Sequence, residues 1–435
     1  MVLTDQQRWD TVGAYGNPMD LTPELDAMAD RGTVFEHAFT PQPVCTPARA
    51  CLQTGQHPTG HGVYRNGLAL PRTSTTVADA FNDAGYRTGY VGKWHLASSE
   101  DQLGPVSSDL RGGYSDFWRA ADVLEHTSHP YEGVVFDGKG TRCPYQRYRT
   151  DALYDFAIEF IEERGTEPEP FFLTLSHLEP HQQNDLDDYV APDGYAERFR
   201  NPWVPEDLEH RPGTWYENLP DYYGMCRRLD EGLGRLLDAL ETAGVRDETI
   251  VFFTSDHGCH FDTRVGHDKC SPHEASIRVP AIAEGPGFED QRVPELLSLI
   301  DVAPTLLELS GITPPDAMHG DSFRPVLADD GRAGTDREDD VLVHISGTEI
   351  GRALRTPRWK YSVYDPDGDP GAEPSSETYV ERYLYDLAND PAEQVNLVGR
   401  DDYRGVADDL RARLRDRLGE IGEGPVTIRR AEYPV

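Results

Sequence analysis

The sequence predicts an α/β protein in which a large, mostly parallel central sheet is flanked by helices. Three short apolar runs continue into polar loops, as buried strands do, within residues 86–96, 170–181 and 248–258. Amphipathic segments that predict helices separate these runs, and two of them, residues 147–165 and 219–244, end in glycine. Strands alternating with helices favour a parallel sheet, whose functional side chains collect at the carboxyl ends of the strands.

A second, smaller unit is predicted at the C-terminal end. Residues 327–340 are polar and acidic and contain glycine, a composition typical of a linker. The segments that follow predict a small antiparallel sheet with one closing helix, and residues 365–377 predict an exposed hairpin loop. We therefore expect a catalytic α/β domain over residues 1–335 and a small α+β domain over residues 336–435.

The composition excludes one class of partner. The chain has 77 acidic and 41 basic residues and a formal net charge of −36, which excludes nucleic acid because phosphate binding needs the opposite sign. Only four basic residues are lysines, namely Lys93, Lys139, Lys269 and Lys360. An acidic, lysine-poor surface is typical of proteins that stay hydrated in concentrated salt, so we expect a halophilic source.

The sequence also bears on location. It contains no apolar run long enough to span a bilayer, and its first ten residues, MVLTDQQRWD, lack the apolar core of a secretory signal. We therefore expect a cytoplasmic protein with no membrane partner. Only four residues precede Asp5, so either a central strand is short or the natural start lies upstream, which would leave room for a signal peptide.

The cysteines predict neither a disulfide scaffold nor a structural zinc site. Six cysteines in a chain of this size show no paired CxxC spacing, so we expect reduced thiols. Residues 256–274 concentrate histidines and cysteines, but their spacing matches none of the usual zinc patterns. We interpret this segment as lining or flanking a pocket.

The stretch CTPAR, residues 45–49, is the strongest candidate for a nucleophile. Pro47 fits the first turn of a helix and Thr46 its cap, which would place Cys45 at the positive end of that helix. Free N–H groups there favour an ionised nucleophile, and Arg49 lies one turn further on. Taken alone, the same residues also fit a buried cysteine beside a surface arginine.

Two pairs of polar residues predict a metal site. Asp5 and Gln6 follow the short apolar run at the start of the chain, and Asp256 and His257 follow the run at 248–255. Three side-chain oxygens and one imidazole suit a divalent cation, with Ca²⁺ ahead of Mg²⁺ or Mn²⁺. Either pair alone could cap a helix or turn, whereas two pairs at matching strand ends favour the metal.

An anion site is predicted next to it. In a chain that uses arginine almost throughout, Lys93 and Lys269 both survive beside strand-end motifs. Two ammonium groups near Arg49 and a helix N-terminus would bind an anion strongly. His95 and His181 lie in the same motifs and can exchange a proton near neutral pH.

Together these motifs resemble the type I sulfatase family of the alkaline phosphatase superfamily. CTPAR at 45–49 matches the family pattern C-x-[PS]-x-R, GKWHL at 92–96 resembles a second element, and FTSDHG at 253–258 with Lys269 resembles a third. The segment from residue 352 to residue 397 resembles the family's small C-terminal domain. The resemblance implies an alkaline phosphatase-like fold and hydrolysis of a sulfate ester.

The resemblance also implies roles for individual residues. A formylglycine-generating enzyme would oxidise Cys45 to formylglycine, whose hydrate is the nucleophile, and Arg49 would hold that hydrate. Lys93, Lys269 and His181 would neutralise the sulfuryl oxygens, and His95 would act as the base. The implied metal ligands are Asp5, Gln6, the residue made from Cys45, Asp256 and His257.

Two departures leave alternatives open. Many relatives have a second Asp in place of Gln6 and an Asn in place of His257, so the identity of the metal is not fixed. A phosphonate monoester or phosphodiester hydrolase of the same superfamily is one alternative, because related enzymes share an Asp-Gln start. A catalytically inactive protein that binds sulfated glycans is another. Trp203 and Trp215 in a long polar loop favour a carbohydrate sulfate, although both could simply anchor the loop.

Overall fold

The structure is a computed structural model that describes residues 1–97, 103–328 and 338–431. Within these ranges twelve strands form one large sheet: β1 (Val2–Thr4), β2 (Thr33–Phe39), β3 (Arg87–Lys93), β4 (Phe117–Ala121), β5 (Ser128–His129), β6 (Glu132–Asp137), β7 (Arg142–Tyr145), β8 (Phe171–Ser176), β9 (Val251–Ser255), β10 (Arg278–Val279), β11 (Ala281–Glu284) and β12 (Gln291–Ser298).

The centre of this sheet is parallel. The neighbouring strands β9, β1, β8, β3 and β4 all run in one direction. Antiparallel pairs lie on both sides, for example β9 with β11 and β4 with β6, so the sheet as a whole is mixed. The three apolar runs of the sequence form β3, β8 and β9, which confirms the predicted α/β class.

Helices cover both faces of the sheet. Successive strand residues point to opposite sides, so the strands present apolar side chains on both faces, and the helices pack on them. One apolar layer contains Phe35 and Tyr90, and the other contains their neighbours Val34 and Val91. The helices of the described residues are α1 (Pro23–Ala29), α2 (Cys45–Thr54), α3 (Pro58–His61), α4 (Val77–Asp83), α5 (Leu124–Thr127), α6 (Arg149–Arg164), α7 (Tyr195–Arg198), α8 (Glu206–Glu209), α9 (Trp215–Ala243), α10 (Glu274–Ile277), α11 (Val302–Leu309), α12 (Arg324–Ala328) and α13 (Arg404–Glu420).

The helix ends largely follow the local signals. Thr76 caps α4 through a reciprocal pair of hydrogen bonds with Asp79. Gly244 ends α9 in the left-handed conformation with φ 73°, where glycine carries no Cβ penalty. Gly165 ends α6 with φ −62°, so the predicted glycine stop is present there without the left-handed turn.

A second sheet follows the linker. In the described residues it contains β13 (Val341–Ile345), β14 (Ile350–Arg355), β15 (Trp359–Asp365), β16 (Thr378–Asp386) and β17 (Thr427–Arg429), in that order. The first three pairs are antiparallel, as predicted, and the fourth pair is parallel. Helix α13 closes this sheet, and its apolar face packs on β14, β15 and β16.

The two sheets meet at a small apolar cluster that includes Phe39, Ile277 and Val343. The predicted domain boundary at 335/336 lies outside the described residues, as does most of the linker, so the division into two domains stays a prediction. In the part of the chain that the structure describes, no helix combines the length and the apolar character needed to cross a bilayer.

Candidate active site

The carboxyl ends of β1 and β9 place the two polar pairs side by side. Asp5 and Gln6 directly follow β1, and Asp256 and His257 directly follow β9, its parallel neighbour. The backbone N–H of Gln6 donates to Asp256 Oδ1 at 3.1 Å, which joins the pairs directly. Pairs that are some 250 residues apart in the chain therefore form one site because their strands are neighbours in the sheet.

Cys45 reaches this site from the first residue of α2. The predicted cap is wrong, because α2 begins at Cys45 itself, one residue before Thr46, and follows Val44 in extended conformation. The N–H of Thr46 instead donates to Asn66 Oδ1 at 3.1 Å. Cys45 therefore lies in the first turn of α2, at the positive end of the helix, as expected.

Four potential ligands converge on one small volume. One donor atom each from Asp5, Cys45, Asp256 and His257 lies within 4.8 Å of the others, and all four residues are buried. His257 Nε2 is 3.3 Å from Cys45 Sγ and 3.6 Å from both Asp5 Oδ1 and Asp256 Oδ1. Buried donors at such spacing fit a single bound cation.

The hydrogen bonds of His257 set its tautomer. Its Nδ1 lies 2.9 Å from the carbonyl oxygen of Gly258, which can only accept, so Nδ1 carries the proton. In the neutral ring, the form that a bound cation requires, Nε2 then presents its lone pair to Asp5, Asp256 and Cys45. This is the orientation that a metal-binding histidine needs.

Arg49 fixes the two carboxylates. Its Nη2 lies 3.0 Å from Asp5 Oδ2 and 3.1 Å from Asp256 Oδ2, and its Nη1 donates to the Lys93 carbonyl and to Ser176 Oγ. The guanidinium thus leaves Oδ1 of each carboxylate facing His257 and Cys45. The role implied by the resemblance, in which Arg49 holds the hydrate, stays a prediction.

Lys93 and Lys269 approach the site from different sides. Lys93 Nζ lies 2.8 Å from Asp5 Oδ2 and 3.3 Å from Glu125 Oε1. Lys269 Nζ donates to Cys45 Sγ at 3.1 Å and to Gln6 Oε1 at 3.0 Å. Lys93 therefore contacts Asp5 directly, and Lys269 contacts both Cys45 and Gln6.

These charges shift the pKa values of the acidic groups. Burial and the Asp5 carboxylate act to raise the pKa of the Cys45 thiol, but Lys269, Lys93 and His257 outweigh them and hold it well below its ordinary value. Burial likewise opposes ionisation of Asp5, yet Lys93, His181 and Arg49 keep the pKa of Asp5 well below its usual range. The site therefore stabilises anions at the position of Cys45.

The two candidate proton carriers are placed differently. Burial, followed by the Lys269 charge, lowers the pKa of His181 to about 4, and His181 Nδ1 donates to the carbonyl of Gln182 at 2.7 Å. His95 follows β3 with φ 58°, and its Nδ1 is buried with no hydrogen-bond partner. Burial acts to raise the pKa of Glu125, but Lys93, His95 and His181 lower it, so both histidines lie near that carboxylate; His181 also lies near Lys269.

The sequence analysis missed four residues that contact this site. Glu125 pairs with Lys93, and Ser176 binds Arg49. Tyr189 and Asp268 bind the Gln6 amide. Ser176 is the last residue of β8 and Glu125 lies shortly after β4, so a search of every strand end would have found both, whereas no local signal marks Tyr189 or Asp268.

The cysteine-rich segment at 256–274 contributes one ligand and no second metal site. His257 belongs to the group already described, which is the one cluster of metal-ligating side chains within residues 1–97, 103–328 and 338–431. Cys259 and Cys270 are both buried and free. The segment supplies His257 and Lys269 to the site, and the expectation that it lines or flanks a pocket stays a prediction.

Comparison with known proteins identifies the family. The model of the sulfatase family matches residues 1–312, and that of the N-sulphoglucosamine sulphohydrolase C-terminal region matches residues 261–370. The chain belongs to the type I sulfatase family of the alkaline phosphatase superfamily and is a sulfuric ester hydrolase. Members of this family generally use a formylglycine and a divalent metal, which the buried Asp/Cys/His group fits.

Individual relatives agree along nearly the whole chain. An ulvan-active sulfatase of Formosa agariphila is 29% identical over 97% of this chain and 81% of its own length. The yidJ sulfatase structure from Bacteroides fragilis is 25% identical, with a TM-score of 0.84 over 97% of this chain and 95% of that one.

Two further structures share the fold. One, solved with its substrate D-glucosamine-2-N,6-O-disulfate, is 22% identical, with a TM-score of 0.79 over 98% of each chain. The phosphonate monoester hydrolase of Agrobacterium radiobacter is 23% identical, with a TM-score of 0.70 over 97% of this chain and 95% of that one.

Proposed function

We propose that this sulfatase hydrolyses a carbohydrate sulfate ester, with a formylglycine made from Cys45 as nucleophile and Ca²⁺ as the metal. One observation carries the proposal. The Sγ atom of Cys45 lies 3.1 Å from Lys269 Nζ, 3.3 Å from His257 Nε2 and 3.6 Å from Asp5 Oδ1. An unmodified structural cysteine has no need of a cation, an imidazole and a carboxylate around it.

The donor set suits a hard divalent cation. Asp5, Gln6 and Asp256 offer oxygens, His257 offers Nε2, and the residue made from Cys45 would complete the set. Oxygen-rich sites prefer Ca²⁺, Mg²⁺ or Mn²⁺. Because one ligand is an imidazole, Mn²⁺ remains a candidate beside Ca²⁺. A divalent cation bound there would polarise a hydroxyl and a sulfate oxygen.

The charged side chains around Cys45 bear on how a sulfate ester would bind. Arg49, Lys93 and Lys269 balance Asp5, Asp256 and Glu125, three positive groups against three negative groups. A bound divalent cation would add two positive charges, which a singly charged sulfate ester would partly neutralise. Lys93 and Lys269 would then donate to the sulfuryl oxygens, with His181 beside them.

Proton transfer is assigned to the lysine and the histidines. Lys269 always carries protons to donate, because the Cys45 and Asp5 charges outweigh burial and raise the pKa of Lys269. It therefore serves the leaving oxygen, alone or with His181. His95, whose Nδ1 is buried without a partner, serves as the base on the second hydroxyl of the nucleophile.

Support for a carbohydrate comes from the relatives rather than from the loop tryptophans. Trp215 donates through Nε1 to the carbonyl of Arg211 and packs in an apolar cluster, while the carbonyl of Trp203 accepts from Tyr223. The indole of Trp215 thus anchors its own loop, whereas the contact of Trp203 is made by its backbone. The names of the ulvan-active sulfatase and of the glucosamine disulfate complex favour a sulfated sugar.

The second candidate function is hydrolysis of phosphonate monoesters or phosphodiesters. It is favoured by Gln6, since related enzymes of this type share the Asp-Gln start, and by the fold shared with the phosphonate monoester hydrolase. Sulfate monoesters and phosphodiesters carry the same single charge, so charge alone does not separate them. Relative kcat/KM on matched aryl esters decides between the two.

The first experiment measures the mass of the peptide that contains Cys45, from protein made in its native host, where its formylglycine-generating enzyme would act. We expect an aldehyde in place of the thiol, with hydrolysis of an aryl sulfate and of sulfated sugars that a chelator abolishes and Ca²⁺ restores. An unmodified thiol in inactive protein would contradict the proposal and favour the glycan-binding alternative.

A further inference from the structure

The Gln6 amide is held at both ends. On one side its Oε1 accepts from Lys269 Nζ at 3.0 Å, and on the other its Nε2 donates to the Tyr189 hydroxyl at 3.0 Å. Asp268 Oδ2 lies 3.5 Å from the same Nε2 and accepts from the Tyr189 hydroxyl at 3.3 Å. Gln6 itself has φ 69°, in the left-handed region that glutamine seldom adopts.

The direction of these hydrogen bonds is fixed by the carboxylate. Asp268 can only accept, so the single proton of the Tyr189 hydroxyl points to it. The hydroxyl oxygen then accepts from its nearest other neighbour, the Gln6 amide at 3.0 Å, which presents its NH₂ group; Cys259 Sγ lies further away, at 3.6 Å from both groups. The chain from Asp268 through Tyr189 therefore turns Oε1 of Gln6 towards Lys269, whose ammonium also contacts Cys45.

We propose that Tyr189 and Asp268 are positioning residues that orient the Gln6 amide, so that its single oxygen faces the metal. This inference rests on the metal site of the proposed function. A carboxylate at position 6 would present oxygen whichever way it turned. An amide presents oxygen in only one of its two orientations, so a chain with Gln6 needs a second group to select it.

Lys269 alone would not maintain this orientation during the reaction. Its ammonium is one of the groups assigned to the sulfuryl and leaving oxygens, so substrate competes with Gln6 for its protons. Tyr189 and Asp268 approach from the opposite end of the amide and stay bound to it. Partners of metal ligands typically contribute 10–100-fold to metal affinity, which sets the scale of the effect.

The test is Ca²⁺ binding to the chelator-treated full-length protein by isothermal titration calorimetry. We expect Tyr189→Phe to weaken Ca²⁺ binding by roughly tenfold or more. In the Gln6→Glu/Asp268→Asn background, which keeps the net charge and supplies a symmetric carboxylate, we expect Tyr189→Phe to change affinity by less than about threefold. Asp268→Asn alone weakens binding, because the Asn amide can donate to Tyr189 and reverse the chain.

The matched control is Tyr222→Phe, since the Tyr222 hydroxyl also binds Gln6 but through the backbone carbonyl, at 2.6 Å. Its effect should be equal in both backgrounds, and thermal melting shows that each variant is folded. Equal losses for Tyr189→Phe in both backgrounds, or none in either, would overturn the inference while leaving sulfate-ester hydrolysis intact. A folded wild-type protein that binds no Ca²⁺, Mg²⁺ or Mn²⁺ overturns the metal site and the inference together.

Discussion

Two buried clusters of charged side chains in this protein have similar compositions but different roles. The active-site cluster lies at the strand ends, and the interface cluster lies between the two sheets. The active-site cluster consists of Asp5, Cys45, Arg49, Lys93, Asp256 and Lys269, and the interface cluster consists of Glu274, Arg355, Lys360 and Glu393.

The clusters differ in how completely their anions are paired. In the interface cluster, Lys360 Nζ lies 2.8 Å from Glu274 Oε1 and 2.7 Å from Glu393 Oε1, while Glu393 Oε2 accepts from the Glu274 N–H at 2.7 Å. In the active-site cluster, Oδ2 of Asp256 has an ion-pair contact but no hydrogen bond, and Lys269 faces a thiol and an amide. Buried carboxylates whose partners are all supplied by the protein serve the fold, and removing one partner is costly. Buried groups with unfilled hydrogen-bonding positions can bind a ligand as well.

The largest effect is expected from the nucleophile. Cys45→Ala should lower sulfate-ester hydrolysis by roughly 10⁴-fold or more, because it removes the nucleophile itself. Cys51→Ala is the matched control, since Cys51 lies in the same helix and is buried, with its Sγ 3.3 Å from His61 Nε2. Comparable losses of kcat in the two folded variants would reject Cys45 as the source of the nucleophile.

The comparison is tested most directly by one lysine from each cluster. Lys269→Met should lower kcat/KM by roughly 10²–10³-fold with a smaller change in unfolding free energy, since its partner Gln6 is uncharged and the Cys45 thiol can take up a proton once the Lys269 charge is gone. Lys360→Met should do the reverse and cost about 3–5 kcal/mol in unfolding free energy, because it removes the ion-pair partner of the buried Glu393 and leaves Glu274 with Arg355 alone in the cluster. Urea unfolding and steady-state kinetics measure both, and Lys139→Met, in an exposed turn, serves as the control.

If Lys269→Met proved as destabilising as Lys360→Met, with unchanged kcat/KM, the two clusters would have the same structural role. That result would contradict the argument that the active-site cluster is incompletely paired in order to bind an anionic substrate.

Acid should act on buried histidines before it acts on the interface cluster. Burial lowers the pKa of His57, His61 and His177 to about 3, against 6.5 when unfolded, so the unfolded chain binds more protons below pH 6.5. Stability is therefore complete above pH 6.5 and falls by about 2 kcal/mol per histidine at pH 5.

For Glu274 the pKa is lowered, since Arg355 and Lys360 outweigh its burial, so its contribution is lost only below about pH 4.5. Unfolding free energy measured at pH 7, 6 and 5 checks the first window. His57→Phe should flatten the decline, and an unchanged slope in that variant would count against His57.

The smallest effect concerns the surface rather than either cluster. Because the formal net charge is −36, raising NaCl from 0.1 to 1 M should screen surface repulsion and raise the melting temperature by a few degrees. The buried pairs are screened far less, so Lys360→Met should keep its deficit at both salt concentrations. A melting temperature that falls with salt would contradict the halophilic interpretation of the composition.

The sequence by itself determined the fold class and most of the reactive groups. Apolar runs of strand length that ended in Lys93, in His181 and in Asp256-His257 were enough to predict a parallel sheet with a site at its carboxyl edge. The motif CTPAR identified the family before any coordinates, because the chemistry of the modification constrains neighbouring residues. Motifs of this kind lie within a few consecutive residues, so they can be recognised in the sequence alone.

Tertiary structure alone decided the partners of those groups. No spacing in the sequence shows that Glu125 pairs with Lys93, or that Tyr189 and Asp268 hold Gln6, because these contacts join residues brought together by the order of strands in the sheet. It also decided that α2 begins at Cys45 rather than after Thr46, since Asn66 supplies the acceptor that a local cap would have provided. Local sequence pattern thus identifies the reactive groups, whereas long-range packing determines their orientation and their charge state.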